Sequence, residues 1–236
     1  MKWIYDRYKE KAIVERMSSL KTLVVGANGQ IGKHLVSFIQ DSDGIEAKAM
    51  IRKQEQASFF ENLGAETVLT DLENDDIDTI TKAAEGVDAI VFTAGSGPHT
   101  GKDKTIMVDL DGAVKTIEAA KAAGVKRYVM VSSFDTTRQA IQDAPESFAP
   151  YVAAKHYADE WLKATDLDYT IVHPGGLTND KGIGTVEAAT EVDRGEIPRE
   201  DVAKVLLETL KNDATIGKEF QIVTGTTPVE EAVKSV

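Results

Sequence analysis

The sequence predicts an α/β protein built on a doubly wound parallel sheet, with a small C-terminal lobe. Three observations predict it. From residue 21 onward, short apolar runs alternate with helix-period segments. Runs such as AIVF at 89–92 and YVMV at 128–131 are apolar at every position, as strands covered on both faces must be. Three glycines, Gly26-x-x-Gly29-x-x-Gly32, separate the first run from the first helical segment. Right-handed crossovers leave a doubly wound topology as the outcome.

In chain order, strands are expected at 22–25, 46–51, 66–69, 88–92, 126–131, 168–172 and 219–223, with helices near 30–40, 53–62, 76–85, 104–123, 151–165 and 199–211. Two stretches resist regular assignment, 133–150 and the glycine-rich 174–198. Both follow strand C-termini, the edge where open α/β sheets bind ligands. Ahead of the first strand, Met1, Ile4, Tyr5, Tyr8 and Ala12 recur at roughly helical spacing, so residues 1–19 read as an amphipathic helical extension and 20–236 as a single domain.

Length and charge narrow the possibilities. A chain of 236 residues suits one domain with a sizeable core. With 27 Lys+Arg against 39 Asp+Glu, the net charge of −12 argues against nucleic acid or an anionic membrane as partner. The absence of cysteine excludes disulfides, thiolate catalysis and Cys-based metal sites, and no metal site is expected. No apolar stretch reaches membrane-spanning length and no signal-peptide pattern opens the chain, so a cytoplasmic protein acting on a small molecule, as monomer or homodimer, is expected.

The glycine turn suggests the ligand. A strand, a glycine-rich turn and a helix N-terminus together present free backbone N–H groups and a positive dipole end to a pyrophosphate. An NAD reader usually carries Asp or Glu at the end of the second strand. Here EAKAMI ends in Arg52 and Lys53, cations suited to a 2′-phosphate, which favours NADP while leaving NAD possible. Asp71 and Leu72 after the third strand are placed for the adenine, although Asp71 equally suits a local turn. Thr93-Ala94-Gly95-Ser96-Gly97 after the fourth is small enough for ribose and phosphates to cross.

Tyr151 and Lys155 stand four residues apart at the start of a helix, one face of which brings a phenol near an ammonium that lowers its pKa for proton transfer. Ser132 and Ser133 end the fifth strand, where a hydroxyl can steady charge growing on a carbonyl oxygen. His173-Pro174-Gly175-Gly176-Leu177 follows the sixth strand; its Pro-Gly turn lets backbone approach a nicotinamide, and His173 is either a proton carrier or a structural group.

These segments together resemble the short-chain dehydrogenase/reductase superfamily, in its atypical NAD(P)-binding branch with epimerase/dehydratase-like, NmrA-like and flavin/biliverdin-reductase-like members. The resemblance spans roughly residues 20–225 and is carried by VVGANGQIG at 24–32, TAGSG at 93–97, DLDGAVKTIEAAKAAGVKRYV ending at Val129, YVAAKHYAD at 151–159 and HPGGLTND at 173–180. It implies a Rossmann fold in which Gly26, Asn28, Gly29, Gln30 and Ile31 line the pyrophosphate, Arg52 the 2′-phosphate, Asp71 and Leu72 the adenine, and Thr93, Ala94 and Gly95 the inner ribose. It further implies Tyr151 and Lys155 as the catalytic pair, assisted by Ser133 or Ser132. Two departures bear on the substrate pocket: His173 stands where relatives commonly carry Arg, and Asp109 lies near a position where many carry Asn. The expected activity is hydride transfer between a nicotinamide and a small carbonyl or alcohol, in an oxidoreductase or epimerase-like enzyme. The alternative is an NADP(H)-binding redox sensor without turnover.

Overall fold

The computed structural model describes residues 19–97 and 100–236. The expected helical extension over 1–19 therefore lies outside the described residues, Ser19 apart. The elements run β1 (Leu20–Val25), α1 (Gln30–Gln40), β2 (Ile45–Ile51), α2 (Ala57–Asn62), β3 (Glu66–Leu69), α3 (Ile77–Ala84), β4 (Ala89–Phe92), α4 (Gly112–Ala123), β5 (Arg127–Val131), α5 (Arg138–Asp143), α6 (Ala149–Lys163), β6 (Asp168–Pro174), β7 (Gly176–Thr178), β8 (Thr185–Ala189), β9 (Glu196–Pro198), α7 (Arg199–Leu210), β10 (Lys218–Thr224), β11 (Thr227–Pro228) and α8 (Val229–Ser235).

Nine strands form the main sheet in the order β11-β8-β10-β6-β5-β4-β1-β2-β3, in which β8 runs against its neighbours β10 and β11 and the ladder from β3 to β10 is parallel. Strand order reverses beside β1, which pairs with β2 on one side and β4 on the other. The pleat sends consecutive residues of β1 to opposite faces. Val24 joins Leu35, Ile39, Leu206 and Phe220 in the core under α1 and α7, while Leu23 and Val25 join Ile80, Ile117, Tyr128 and Leu162 under α3, α4 and α6. Burying each such side chain contributes about 1.5–3 kcal/mol, which is why the parallel strands are mostly apolar along their covered length.

Local chemistry fixes the helix ends. Asp76 caps α3 by accepting the Thr79 N–H at 2.8 Å, and α4 stops on Gly124 at φ 75°. The amino ends of β5 and β6 are locked to the end of α7 by the buried Arg127. Its guanidinium donates to the Asp168 and Thr209 carbonyls and to the Thr170 and Thr215 hydroxyls at 2.8–2.9 Å.

Several elements differ from expectation. The helix expected over 104–123 is broken: a single α-turn at Lys102–Lys104 leads into a π-helical stretch, Thr105–Asp111, before α4. The helix expected at 53–62 opens with a 3-10 turn at Gln54–Gln56. The irregular stretch 133–150 contains α5, and 174–198 supplies β7, β8 and β9, short strands whose pairing partners are remote in sequence. The same holds for β11, and α8 was not expected at all.

Candidate functional site

The sheet's carboxyl edge beside β1 opens into a cavity of about 390 Å³. At its floor the chain leaves β1 through Gly26, whose φ of +79° suits glycine and whose hypothetical Cβ would lie 2.6 Å from Ala94 N. A Cβ on Gly32 would lie 2.5 Å from Gly26 O, so these two glycines are demanded by backbone packing against backbone. Gly29 differs: its Cβ would meet only Gly26 O, at 3.1 Å, and its role is to leave room. From Gly29, α1 starts with no side-chain cap and no acidic residue in its first turn. The N–H groups of Gln30, Ile31 and Gly32 thus precede the first intrahelical bond, from Lys33 N to Gly29 O, and form an uncompensated positive end. A dinucleotide pyrophosphate fits such an end.

Gly26, Asn28, Gly29, Arg52, Asp71, Leu72, Thr93, Ala94 and Gly95 all line this cavity. Arg52 is exposed at its rim, while Lys53 is not part of the lining and pairs with Glu55 at 3.7 Å. Ile31 sends its side chain into the core, leaving its N–H for a ligand. Gln30 faces a separate groove beside Lys33 and Arg199. Asp71 lines the cavity and also makes the local turn that its sequence position suits, its carboxylate accepting from Glu73 N at 3.0 Å and Asn74 Nδ2 at 2.9 Å. Partial burial opposes ionisation, but those bonds and the charge of Arg52 hold its carboxyl below the ordinary range. Thr93 Oγ1 donates to Val25 O at 2.9 Å, tying the end of β4 to β1. Sequence reasoning missed Gln56, Glu73, Lys104 and Val108, which also line the cavity. Lys104 and Glu73 are paired across it, a contact 31 residues apart that local pattern cannot reveal.

Next to this cavity lies a buried charge pair. Asp109, 1% exposed, is the one buried residue of the π-helical stretch; its Oδ2 accepts Ser96 N at 3.0 Å and its Oδ1 lies 3.5 Å from Lys155 Nζ. π-helical turns commonly mark functional positions, and here the extra residue turns a carboxylate inward. Lys155 Nζ also reaches Val131 O at 3.4 Å and lies 5.8 Å from the centroid of the Tyr151 ring. Burial works against its charge, yet attraction to Tyr151, Asp109 and Asp159 keeps the ammonium above the usual lysine range. Tyr151 is half-buried in the first turn of α6, packed on Phe148 at 5.1 Å between ring centroids.

The two serines have different surroundings. Ser132 is buried and donates to Asp159 Oδ2 at 2.7 Å, which commits its hydroxyl. The Ser133 hydroxyl forms no hydrogen bond among the described residues, and its carbonyl lies 2.7 Å from His173 Nδ1. Pro174 and Gly175 are buried, with a Gly175 Cβ 2.4 Å from Gly195 O, whereas Gly176 and Leu177 are exposed at the start of β7. Among the described residues, no group of His, Asp and Glu is arranged to hold a metal, and no helix is long and apolar enough to cross a membrane.

Residues 26–213 match the family model described as NAD(P)H-binding. The chain belongs to this NAD(P)-binding, Rossmann-like family. It is 49% identical over 215 residues to the Bacillus subtilis protein called uncharacterized sugar epimerase YhfK, covering 91% of this chain and 99% of that one. Among solved structures, a Bacillus halodurans protein described as a NAD-dependent epimerase/dehydratase superposes with a TM-score of 0.86 at 42% identity, covering 92% of this chain and all of that one. The oxidoreductase ylbE from Lactococcus lactis gives a TM-score of 0.82 at 32% identity, over 92% and 96% of the two chains.

Proposed function

We propose that this protein is an NADP-dependent oxidoreductase or epimerase-like enzyme in which Tyr151 exchanges a proton with a small carbonyl or alcohol substrate. The observation that supports the reading is Lys155 Nζ, 5.8 Å from the centroid of the Tyr151 ring and held by Asp109, whose carboxylate accepts the N–H of Ser96 in the cavity lining. A bound nicotinamide supplies the hydride, the chemistry that side chains cannot. The chain's own residues do the rest. Gly26, Gly29 and the free N–H groups of α1 would hold the pyrophosphate, Arg52 would pair with the 2′-phosphate, and Asp71 and Leu72 would take the adenine, these residues all lining the same cavity. Tyr151 delivers its hydroxyl proton to the carbonyl oxygen as the carbon gains hydride, and recovers it from solvent. Lys155 supports the charge left on the phenol oxygen, and the Ser133 hydroxyl donates to the substrate oxygen. An epimerase runs the same exchange out and back.

NADPH oxidation in the presence of small carbonyls, quinones and flavins, with wild type beside Tyr151→Phe, tests the proposal. General acid catalysis of this kind contributes about 10²–10⁴-fold, so the variant should lose turnover on that scale while still binding NADPH. Turnover indifferent to Tyr151 would overturn the assignment. NADPH binding without any turnover would favour a redox sensor.

A further inference from the structure

Behind the paired serines lies a buried polar cluster that the proton transfer does not use. Side chains from three elements hold the loop after β5: Ser132 Oγ and Thr136 Oγ1 donate to Asp159 Oδ2 of α6 at 2.7 and 2.8 Å, Gln221 Nε2 of β10 donates to Phe134 O at 2.8 Å, and His173 Nδ1 of β6 meets Ser133 O at 2.7 Å. His173 is 6% exposed, with both ring nitrogens facing protein oxygens. Its Nε2 faces Glu219 Oε2 at 3.5 Å. A backbone carbonyl only accepts hydrogen bonds, so Nδ1 carries a proton, and the Glu219 carboxylate at ion-pair distance from Nε2 favours a second proton there. The titratable groups around it are Glu219 from β10, with Lys163 Nζ 3.4 Å from both of its oxygens, and Asp159 from α6, whose carboxyl is pushed above the ordinary range by burial.

We propose that His173 is a positioning residue: pinned as an imidazolium between Glu219 and the Ser133 carbonyl, it fixes the backbone that presents the Ser133 hydroxyl. The use made of that hydroxyl rests on the oxidoreductase reading; the pinning itself does not. Burial opposes the charge on the ring, but Glu219, Asp159 and the Ser133 carbonyl outweigh it and raise the pKa above the ordinary 6.5. The clamp is complete below that value and is lost as pH rises through the raised one, when a neutral ring can serve only one of its two acceptors.

Two isosteres separate the contacts. Asparagine places an amide N–H where Nδ1 stands and keeps the bond to Ser133 O; glutamine reaches the position of Nε2 and keeps only Glu219. In ¹⁵N NMR of the wild-type protein, the His173 ring should be doubly protonated near neutrality, and the Ser133 amide resonance should move on alkaline titration together with that ring. In H173N this resonance should stay at its neutral wild-type position at every pH, whereas in H173Q it should be displaced throughout. With menadione as carbonyl probe, kcat for NADPH oxidation should fall about tenfold in H173Q and stay within about threefold of wild type in H173N, which should also lose the alkaline limb; KM for NADPH should hold in both. A neutral wild-type ring near neutrality, or identical behaviour of the two variants, would overturn the proposal. If the amide pattern appears but menadione is not reduced, the positioning role stands and the oxidoreductase reading alone fails.

Discussion

Replacing Arg52 by alanine should cut NADPH affinity while sparing NADH. Arg52 is exposed at the cavity rim, and its charge already helps hold the Asp71 carboxyl down, so part of it is spent before any phosphate arrives. A hydrogen bond to a charged partner contributes about 1.5–3 kcal/mol when well shielded, and exposure and salt pull an ion pair towards about 1 kcal/mol. The lower half of the span from about 1 to 3 kcal/mol applies here, about 1–2 kcal/mol, or roughly a 5- to 30-fold rise in Kd for NADPH. The Kd for NADH, which lacks the 2′-phosphate, should change by less than about threefold. Quenching of intrinsic fluorescence on titration with each nucleotide, at low and at physiological salt, measures both constants. The NADPH preference should also shrink as salt rises in wild type and not in the variant. If the ratio of the two constants is the same in wild type and variant, Arg52 is a solvated surface cation and the inference of NADP from the end of β2 fails.

Other consequences follow from the geometry. Gly26→Ala combines a φ of +79° with a Cβ 2.6 Å from Ala94 N, so thermal denaturation should show a loss of at least about 2 kcal/mol; Gly29→Ala, with its nearest contact at 3.1 Å, should keep most stability yet lose NADPH binding in the same titration. Arg127→Met strips donors from two carbonyls and two hydroxyls in the interior, and should cost about 3–5 kcal/mol, read as a lower urea midpoint at unchanged m-value. Burial, against the raising charges of Asp213 and Asp168, pulls that guanidinium down to about 10, still fully charged at neutral pH. Glu219 is brought down from 4.5 to about 2, chiefly by its hydrogen bond from His173 and, against partial burial, by Lys163. Its contribution is full above 4.5 and disappears as pH falls through about 2, so Glu219→Gln should flatten the acid limb of a stability–pH curve; an unchanged limb would refute the pairing.

Most of the sheet was legible because its physical requirements are local. A strand covered on both faces is apolar along its covered length, and AIVF of β4 and YVMV of β5 leave little alternative. The cradle was legible for a similar reason: the spacing of Gly26, Gly29 and Gly32 encodes a turn whose backbone contacts tolerate no side chain. Other features left no local trace. The π-helical stretch carries ordinary helix-forming residues, and its distortion makes sense only once Asp109 is seen opposite Lys155, 46 residues further on. Likewise β7 and β9 are three residues each and exist because they pair with one another.

The sequence by itself determined the sheet's apolar strands, the glycine turn that frees a helix terminus for an anion, and the chemical kinds of side chain gathered at the strand ends. These depend on φ angles, periodicity and residue type, which are properties of neighbours along the chain. Only the tertiary structure decided that Ser132 is spent on Asp159 while the Ser133 hydroxyl is left unengaged, that Lys53 is not part of the cavity lining that Arg52 joins, and that His173 is buried between two acceptors. Each of these outcomes is set by a partner many residues distant, and a hydrogen bond or charge pair acts over a few ångströms of space regardless of the length of chain between its ends.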